Sequence, residues 1–248
     1  MSVPQKINSG VNSFVLHLIA MFLMLCDHLW ASFVPIDLLT WLGRIAFPLF
    51  AFMIAEGYAH TKNLKKYLLR LLFCALLSEI PFDLFCSGSW FYPFHQNVLW
   101  TFLLALLGIH VIELIRKRKK WWLTILVAGG VIPVAYLLGF IAMTDYYGYG
   151  VLTVIGFYFL RGRKWYCLLG QAALLWWINW EMMGGLTVPI VLADHTFEIP
   201  QQGMALLAMI PILLYNGKQG PHNRVIKYIF YLFYPVHLLV LMILSRIL

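Results

Sequence analysis

The chain has 248 residues, of which 62% are hydrophobic and only 11% carry a charge, against about 25% charged residues in an average soluble domain. So few charges cannot cover a water-soluble fold, which excludes the soluble enzymes and leaves a multi-pass membrane protein in contact with the lipid bilayer. The formal net charge of +8 does not indicate a nucleic-acid partner, because the basic residues form short clusters between apolar runs.

The apolar runs predict transmembrane helices along the chain. Each run that approaches the roughly 20 residues of a membrane crossing predicts one helix. These helices cover residues 14–34, 38–58, 67–86, 97–115, 121–140, 147–160, 165–180, 201–216 and 225–247. A further apolar piece at 183–193 is about half the length of a crossing and is interrupted by glycine and proline. It predicts a re-entrant or interfacial segment within an outer loop at 181–200.

The basic residues predict the orientation of the bundle. Lys and Arg are enriched in cytoplasmic loops, and most of the 18 basic residues fall on one side if residues 1–12 are a short cytoplasmic segment. The groups on that side are Lys6; Lys62, Lys65, Lys66 and Arg70; Arg116 to Lys120; Arg161, Arg163 and Lys164; and Lys218, Arg224 and Lys227. The sequence therefore predicts an all-α, polytopic transmembrane helix bundle of about nine spans, within a range of about 8–10. It forms a single domain over residues 1–248.

Four ionisable residues lie at a similar depth inside three predicted helices: Asp27, His28, Arg44 and Glu79. Each costs about 2.5–3.5 kcal/mol in lipid unless it is paired or faces water. An internal salt-bridge cluster that holds the helices together and a catalytic site are equally good interpretations of Arg44 with Asp27 or Glu79. Consecutive helical residues point about 100° apart, so Asp27 is assigned to Arg44 and His28 is left as a general base.

Several other residues are predicted to support such a site. Acceptor binding or structural support is assigned to Asn97, Asp83, Tyr234 and His237. One helical stripe, containing His17, Met21, Met24 and His28, is interpreted as ordinary packing. No metal is predicted, because the cysteines are scattered without ligand spacing; they are Cys26, Cys74, Cys86 and Cys167.

The run from Gly43 to Tyr58, which begins Gly-Arg-Ile-Ala-Phe-Pro-Leu-Phe, resembles the signature of the TraX family. The same resemblance extends to Asp27-His28, Ser78 to Asp83, Asp145-Tyr146 with Gly148, and Phe233 to His237. It implies an integral-membrane acetyltransferase of a bacterial inner or plasma membrane, distantly similar to the acyltransferase-3 and heparan-glucosaminide acetyltransferase proteins. An early-helix histidine is the suspected catalytic residue there, and His28 matches that position.

The resemblance and the charge pattern together predict transfer of an acetyl group from cytoplasmic acetyl-CoA to an amine or hydroxyl. The acceptor is a pilin-like N-terminus, as in the conjugation protein that names the family, or a cell-surface glycan or lipid. Arg44 or Asn97 is expected to stabilise the oxyanion. The residues assigned to the donor are Glu56, His60, Lys62, Lys65, Lys66 and Arg70. A proton-coupled transporter and a non-enzymatic scaffold are the alternatives, and the chain is either a monomer or a homo-oligomer.

Overall fold

The computed structural model describes residues 10–192 and 195–248, so Lys6, most of the 1–12 segment and Asp194 lie outside the described residues. The described chain is mostly helical. Its elements are α1 (Ser13–Ser32), α2 (Asp37–Gly43), α3 (Ala46–His60), α4 (Leu64–Ser87), α5 (Val98–Arg116), α6 (Trp121–Ile141), α7 (Tyr147–Phe159), α8 (Trp165–Trp176) with a π-helical turn (Trp177–Met182), strands β1 (Thr187–Leu192) and β2 (His195–Pro200), a 3₁₀ segment (Gln201–Ala208), α9 (Met209–Leu214) and α10 (Arg224–Ile247).

Asparagine fixes where four of these helices begin. The side chains of Asn12, Asn63, Asn97 and Asn223 accept hydrogen bonds from the first-turn N–H groups of α1, α4, α5 and α10. An N-cap of this kind satisfies one of the orphan donors of a helix end. The other end of α4 stops at Gly88, which has a left-handed conformation with φ 72° and so reverses the chain at low cost.

The chain is a membrane protein. Within the residues that the structure describes, five helical stretches are long and apolar enough to cross a bilayer: Ser13–Ser32, Asp37–His60, Val98–Arg116, Trp121–Ile141 and Arg224–Ile247. Large apolar side chains cover the outside of the bundle, and α6 buries only Ala135 and Gly139. A soluble protein would not expose such a surface. The helical fold is therefore confirmed, whereas the count of about nine crossings and the cytoplasmic N-terminus stay predictions.

Two segments differ from what the sequence predicts. The predicted 38–58 helix is interrupted at Arg44 and Ile45, between α2 and α3. The stretch predicted to be re-entrant or interfacial contains β1, which pairs with β2 in an antiparallel hairpin in register Thr187 with Pro200. Its β-branched residues at 187, 188, 190 and 191 favour an extended backbone over a helix.

Packing of the helices leaves a gap beside the main core. The main hydrophobic cluster joins α1, α3, α5 and α7, with Leu16, Leu49, Leu106 and Val154 fully buried. A smaller cluster of Phe82, Tyr234 and Leu238 joins α4 to α10. Because α1 contacts both α3 and α10, these two clusters enclose a cavity between them.

Candidate active site

A cavity of about 920 Å³ lies among α1, α3, α4, α5 and α10. This volume is in the upper part of the range of about 300–1,000 Å³ that is usual for small-molecule sites. One end, which we call the polar end, is lined by Asp27, His28, Arg44, His95 and Asp145. The other, which we call the basic end, is lined by His60, Arg70, His222 and Lys227. The cavity therefore connects the intramembrane ionisable residues to the cationic side of the bundle.

The helical stripe on α1 faces this cavity. His17, Met21, Met24 and His28 all line it. The His17 ring stacks on Phe230 of α10 with its centroid 4.7 Å away, and its Nδ1 lies 2.7 Å from the Ser13 carbonyl oxygen. The stripe thus forms one wall between the basic end and the polar end.

His28 is paired with a second histidine from the far end of the chain. Its Nδ1 lies 2.6 Å from Nε2 of His237 on α10, and the two rings stack with centroids 4.9 Å apart. His237 is only 6% exposed. His28, which was predicted to be free as a general base, is therefore hydrogen-bonded at one ring nitrogen.

The hydrogen bonds of this pair determine which nitrogen of His28 carries a proton. Nδ1 of His237 lies 2.8 Å from the Phe233 carbonyl oxygen, which only accepts, so Nδ1 is the protonated nitrogen of a neutral His237. Its Nε2 is then an acceptor, and Nδ1–H of His28 donates to it. Since a neutral imidazole carries one N–H, Nε2 of His28 keeps its lone pair. A cavity-lining imidazole with a free lone pair has the form of a general base.

Asp27 and Arg44 form the predicted ion pair. Nη2 of Arg44 donates to Oδ1 of Asp27, and the Thr40 hydroxyl donates to the same oxygen at 3.0 Å. Arg44 also donates from Nε to the Thr40 carbonyl at 3.4 Å. The pairing assigned from the sequence is confirmed, and it fixes Arg44 at the break between α2 and α3.

Gly43 allows this pair to form. A Cβ at position 43 would lie 2.3 Å from Cβ of Asp27 and 2.4 Å from its Oδ1. Real Cβ atoms do not approach so closely, so any larger residue would push α2 away from α1. Glycine at position 43 is therefore needed for the close packing of α2 on α1.

A turn with an unusual backbone completes the polar end. His95 Nε2 lies 3.6 Å from Oδ1 of Asp145, and this carboxylate raises the pKa of His95 above its ordinary value. The Thr101 hydroxyl donates to the Asp145 carbonyl. Next to Asp145, Tyr146 and Tyr147 have positive φ values of 61° and 47°, a conformation that costs free energy in non-glycine residues.

Glu79 was wrongly grouped with the other three ionisable residues. It does not line the cavity but lies between α4 and α5, where Nδ2 of Asn97 and Nε1 of Trp100 both donate to its Oε2, the latter at 2.7 Å. Asn97 also donates to the Ala75 carbonyl at 2.9 Å. The expectation that Asn97 stabilises an oxyanion was wrong too, because its amide N–H groups are already committed.

The two remaining support residues have different positions. Asp83 is 2% exposed, and its Oδ2 accepts a hydrogen bond of 2.9 Å from the backbone N–H of Tyr92. It therefore fixes the loop after α4 and does not face the cavity. Tyr234 does line the cavity, beside Phe82. Of this predicted support set, the structure brings Tyr234 and His237 to the polar end.

Only half of the predicted donor-binding residues line the cavity. Glu56, His60 and Arg70 line the cavity, whereas Lys62, Lys65 and Lys66 do not. The carboxylate oxygens of Glu56 lie 3.7 Å from Nδ1 of His60 and 3.7 Å from Nε of Arg161. His222 and Lys227, which were not assigned to the donor, join Arg70 at the basic end. Clustering in sequence therefore does not show which basic residues line the cavity.

Comparison with known proteins identifies the family. The family model described as TraX protein matches residues 13–245. The chain belongs to the TraX family. It is 30% identical over 255 residues to the probable fimbrial assembly protein FimC, serogroup H1, of Dichelobacter nodosus, an alignment that covers 94% of this chain and 96% of that protein. No solved structure matches the chain.

Most motifs that carried the TraX resemblance converge on the cavity. Asp27-His28, Gly43-Arg44, Asp145-Tyr146 and Phe233-Tyr234 all line it, and His237 bonds to His28. The exception is the Ser78 to Asp83 stretch, from which only Phe82 reaches the cavity. Four segments distant in the chain of this TraX protein thus form one site.

Proposed function

We propose that this TraX protein is a membrane-embedded acetyltransferase that moves an acetyl group from cytoplasmic acetyl-CoA to an acceptor amine or hydroxyl. The observation that supports it best is that one cavity joins the basic end to the unprotonated Nε2 of His28. With about nine crossings and a cytoplasmic N-terminus, the basic end opens to the cytoplasm of a bacterial inner membrane. The polar end then lies towards the outer side.

The basic end suits an anionic donor such as acetyl-CoA. Arg70 of α4 and Lys227 of α10 carry like charges, and both line the cavity opening. Neither forms an ion pair with a carboxylate of the residues described, 10–192 and 195–248. Phosphate groups between them would relieve the repulsion, and the N-termini of α4 and α10 would add favourable dipoles.

The polar end supplies the chemistry of acyl transfer. The acceptor gives its proton to Nε2 of His28 as it attacks the thioester carbonyl carbon. The negative charge that develops on the carbonyl oxygen is stabilised by Arg44, whose Nη1 makes no hydrogen bond to any residue that the structure describes. Collapse of the tetrahedral intermediate breaks the C–S bond, and the thiolate takes the proton back from His28.

The acceptor is proposed from the relative. The Dichelobacter protein is named for fimbrial assembly, which favours a pilin-like subunit over a cell-surface glycan or lipid. An acceptor that enters from the outer side would contact His95, Asp145 and Tyr147, since all three line the cavity together with His28.

The test is acetyl transfer in proteoliposomes, with labelled acetyl-CoA and a synthetic peptide that has either a free or a blocked N-terminus. We expect transfer to the free peptide and a loss of about 10²- to 10⁴-fold in His28→Ala. His110→Ala is the matched control, because His110 lies inside α5, hydrogen-bonded to Tyr58 at 3.3 Å, and does not line the cavity. Full activity of a folded His28→Ala protein contradicts the proposal, as does proton flux that needs His28 without any transfer.

The donor site has its own test. Arg70→Gln should raise KM for acetyl-CoA about tenfold, because one charge-assisted hydrogen bond to phosphate is lost, while kcat stays the same. Arg163→Gln is the control, since this arginine is exposed and outside the cavity. An unchanged KM in Arg70→Gln would move the donor away from the basic end.

A further inference from the structure

The pair of histidines at the polar end resembles the base and the orienting residue of a catalytic triad, except that no carboxylate takes part. In such triads a carboxylate usually accepts the Nδ1–H of the base and fixes its tautomer. Here the acceptor is Nε2 of His237, at 2.6 Å. We infer that His237 is a positioning residue that holds His28 in the tautomer required of a general base. This inference rests on the proposed function, because it assigns His237 to the proton transfer at His28.

The carboxylate next to His28 in the sequence, that of Asp27, bonds to other partners. Oδ1 of Asp27 accepts from both Arg44 and Thr40, and Asp27 precedes His28 on α1, so the two side chains diverge by about 100°. The Asp27 carboxylate therefore compensates the charge of Arg44 instead of accepting a hydrogen bond from the imidazole. His237 is the residue left to accept the Nδ1–H.

His237 is itself fixed on its other side. Its Nδ1–H donates to the Phe233 carbonyl at 2.8 Å, and its ring stacks on the Phe233 ring with centroids 4.7 Å apart. Rotation of the His237 ring would break both hydrogen bonds. Since a second orientation is excluded in this way, His237 always offers Nε2 and never an N–H to His28.

A neutral partner suits a base that must release its proton quickly. The proton from the acceptor stops at Nε2 of His28, and the Nδ1–H groups of both histidines stay in place, so no proton passes to His237. The transient charge on His28 is stabilised by a hydrogen bond to a neutral acceptor, which is weaker than one to a carboxylate. The departing thiolate can therefore recover the proton readily.

Two substitutions distinguish positioning from packing. In His237→Gln the amide oxygen can still accept from His28, so we expect kcat within about fivefold of the natural protein. His237→Met has similar volume but no strong acceptor, and we expect kcat to fall about 10- to 100-fold. The acid limb of its pH–activity profile should also move to lower pH, because protonated His28 loses a charge-assisted hydrogen bond.

The outcomes separate this inference from the proposed function. Natural kcat and an unchanged pH profile in His237→Met, with His28→Ala inactive, would overturn the positioning role alone. Equal losses in the Gln and Met variants with an unchanged pH profile would reduce His237 to a packing contact and overturn it as well. Full activity of His28→Ala instead removes the proposed function.

A measurement on the unsubstituted protein avoids any problem of folding. Solid-state NMR of ¹⁵N-histidine-labelled protein in bilayers, with His28→Ala spectra for assignment, reports which ring nitrogen is protonated. We expect a neutral His28 with the proton on Nδ1. A proton on Nε2 would overturn the inference whatever the variants show.

Discussion

Two of the polar clusters inside the helix bundle differ in whether they leave a hydrogen-bonding group free beside the carboxylate. The cavity cluster contains Asp27, Arg44, His28 and His237; the interhelical cluster, between α4 and α5, contains Glu79, Asn97 and Trp100. In the interhelical cluster both donors end on Glu79. In the cavity cluster the carboxylate is neutralised by Arg44, and His28, which lines the cavity, keeps one imidazole lone pair. A buried charged residue therefore indicates a functional site only where a ligand can reach a group that still has a free hydrogen-bonding position.

The largest expected effect comes from removing Arg44. Arg44→Gln takes away the proposed oxyanion donor and leaves Asp27 partly buried without its cation. We expect acetyl transfer to fall by at least about 100-fold and the free energy of unfolding to fall by about 3 kcal/mol. Proteoliposome assays and thermal unfolding in detergent measure the two effects.

A double variant separates the two effects of Arg44. Asp27→Asn combined with Arg44→Gln removes the unpaired charge, so most of the stability should return while transfer stays low. If transfer returned together with stability, Arg44 would act only by holding α1 and α2 together.

Gly43→Ala should have the next largest effect, because it opens the cavity cluster without removing a polar group. The new Cβ would lie 2.3 Å from Cβ of Asp27, so α2 must move and the ion pair must lengthen. We expect about 1–3 kcal/mol less stability and about tenfold slower transfer. Gly129→Ala on α6 is the control, since nothing lies within 4 Å of its Cβ position; it should be neutral or slightly stabilising.

Glu79→Gln tests the interhelical cluster and should leave catalysis alone. Glutamine can place its carbonyl oxygen where Oε2 accepts from Asn97 and Trp100, but both hydrogen bonds then lose their charged acceptor. We expect a loss of about 1–2 kcal/mol in stability with kcat within about twofold of the natural value. A loss of transfer like that of Arg44→Gln would show that the two clusters act as one site.

The pairing of Asp27 with Arg44 could be predicted from the sequence, but the position of Glu79 and the contact between His28 and His237 could not. Asp27 and Arg44 could be paired because an unpaired arginine is expensive in lipid and few partners lie at its depth. Depth along the membrane says nothing about rotation around a helix axis, which is why Glu79 was grouped with them. His28 and His237 are 209 positions apart, and only the packing of α1 on α10 decides that they meet.

The smallest expected effect concerns pH and the turn that closes the polar end. The Asp145 carboxylate raises the pKa of His95 in the folded state, so this contribution to stability is present below the unfolded pKa of about 6.5 and is lost as the pH rises through the folded pKa. His95→Gln should therefore lower Tm more at about pH 5.5 than at about pH 8.5. Between these two pH values, the stability lost in His95→Gln should differ by less than about 1 kcal/mol, because the pair is partly exposed. Asp145→Asn should reduce the pH dependence of that difference, because Asp145 is the main group that raises the pKa of His95, and an unchanged pH dependence would assign the effect to another group.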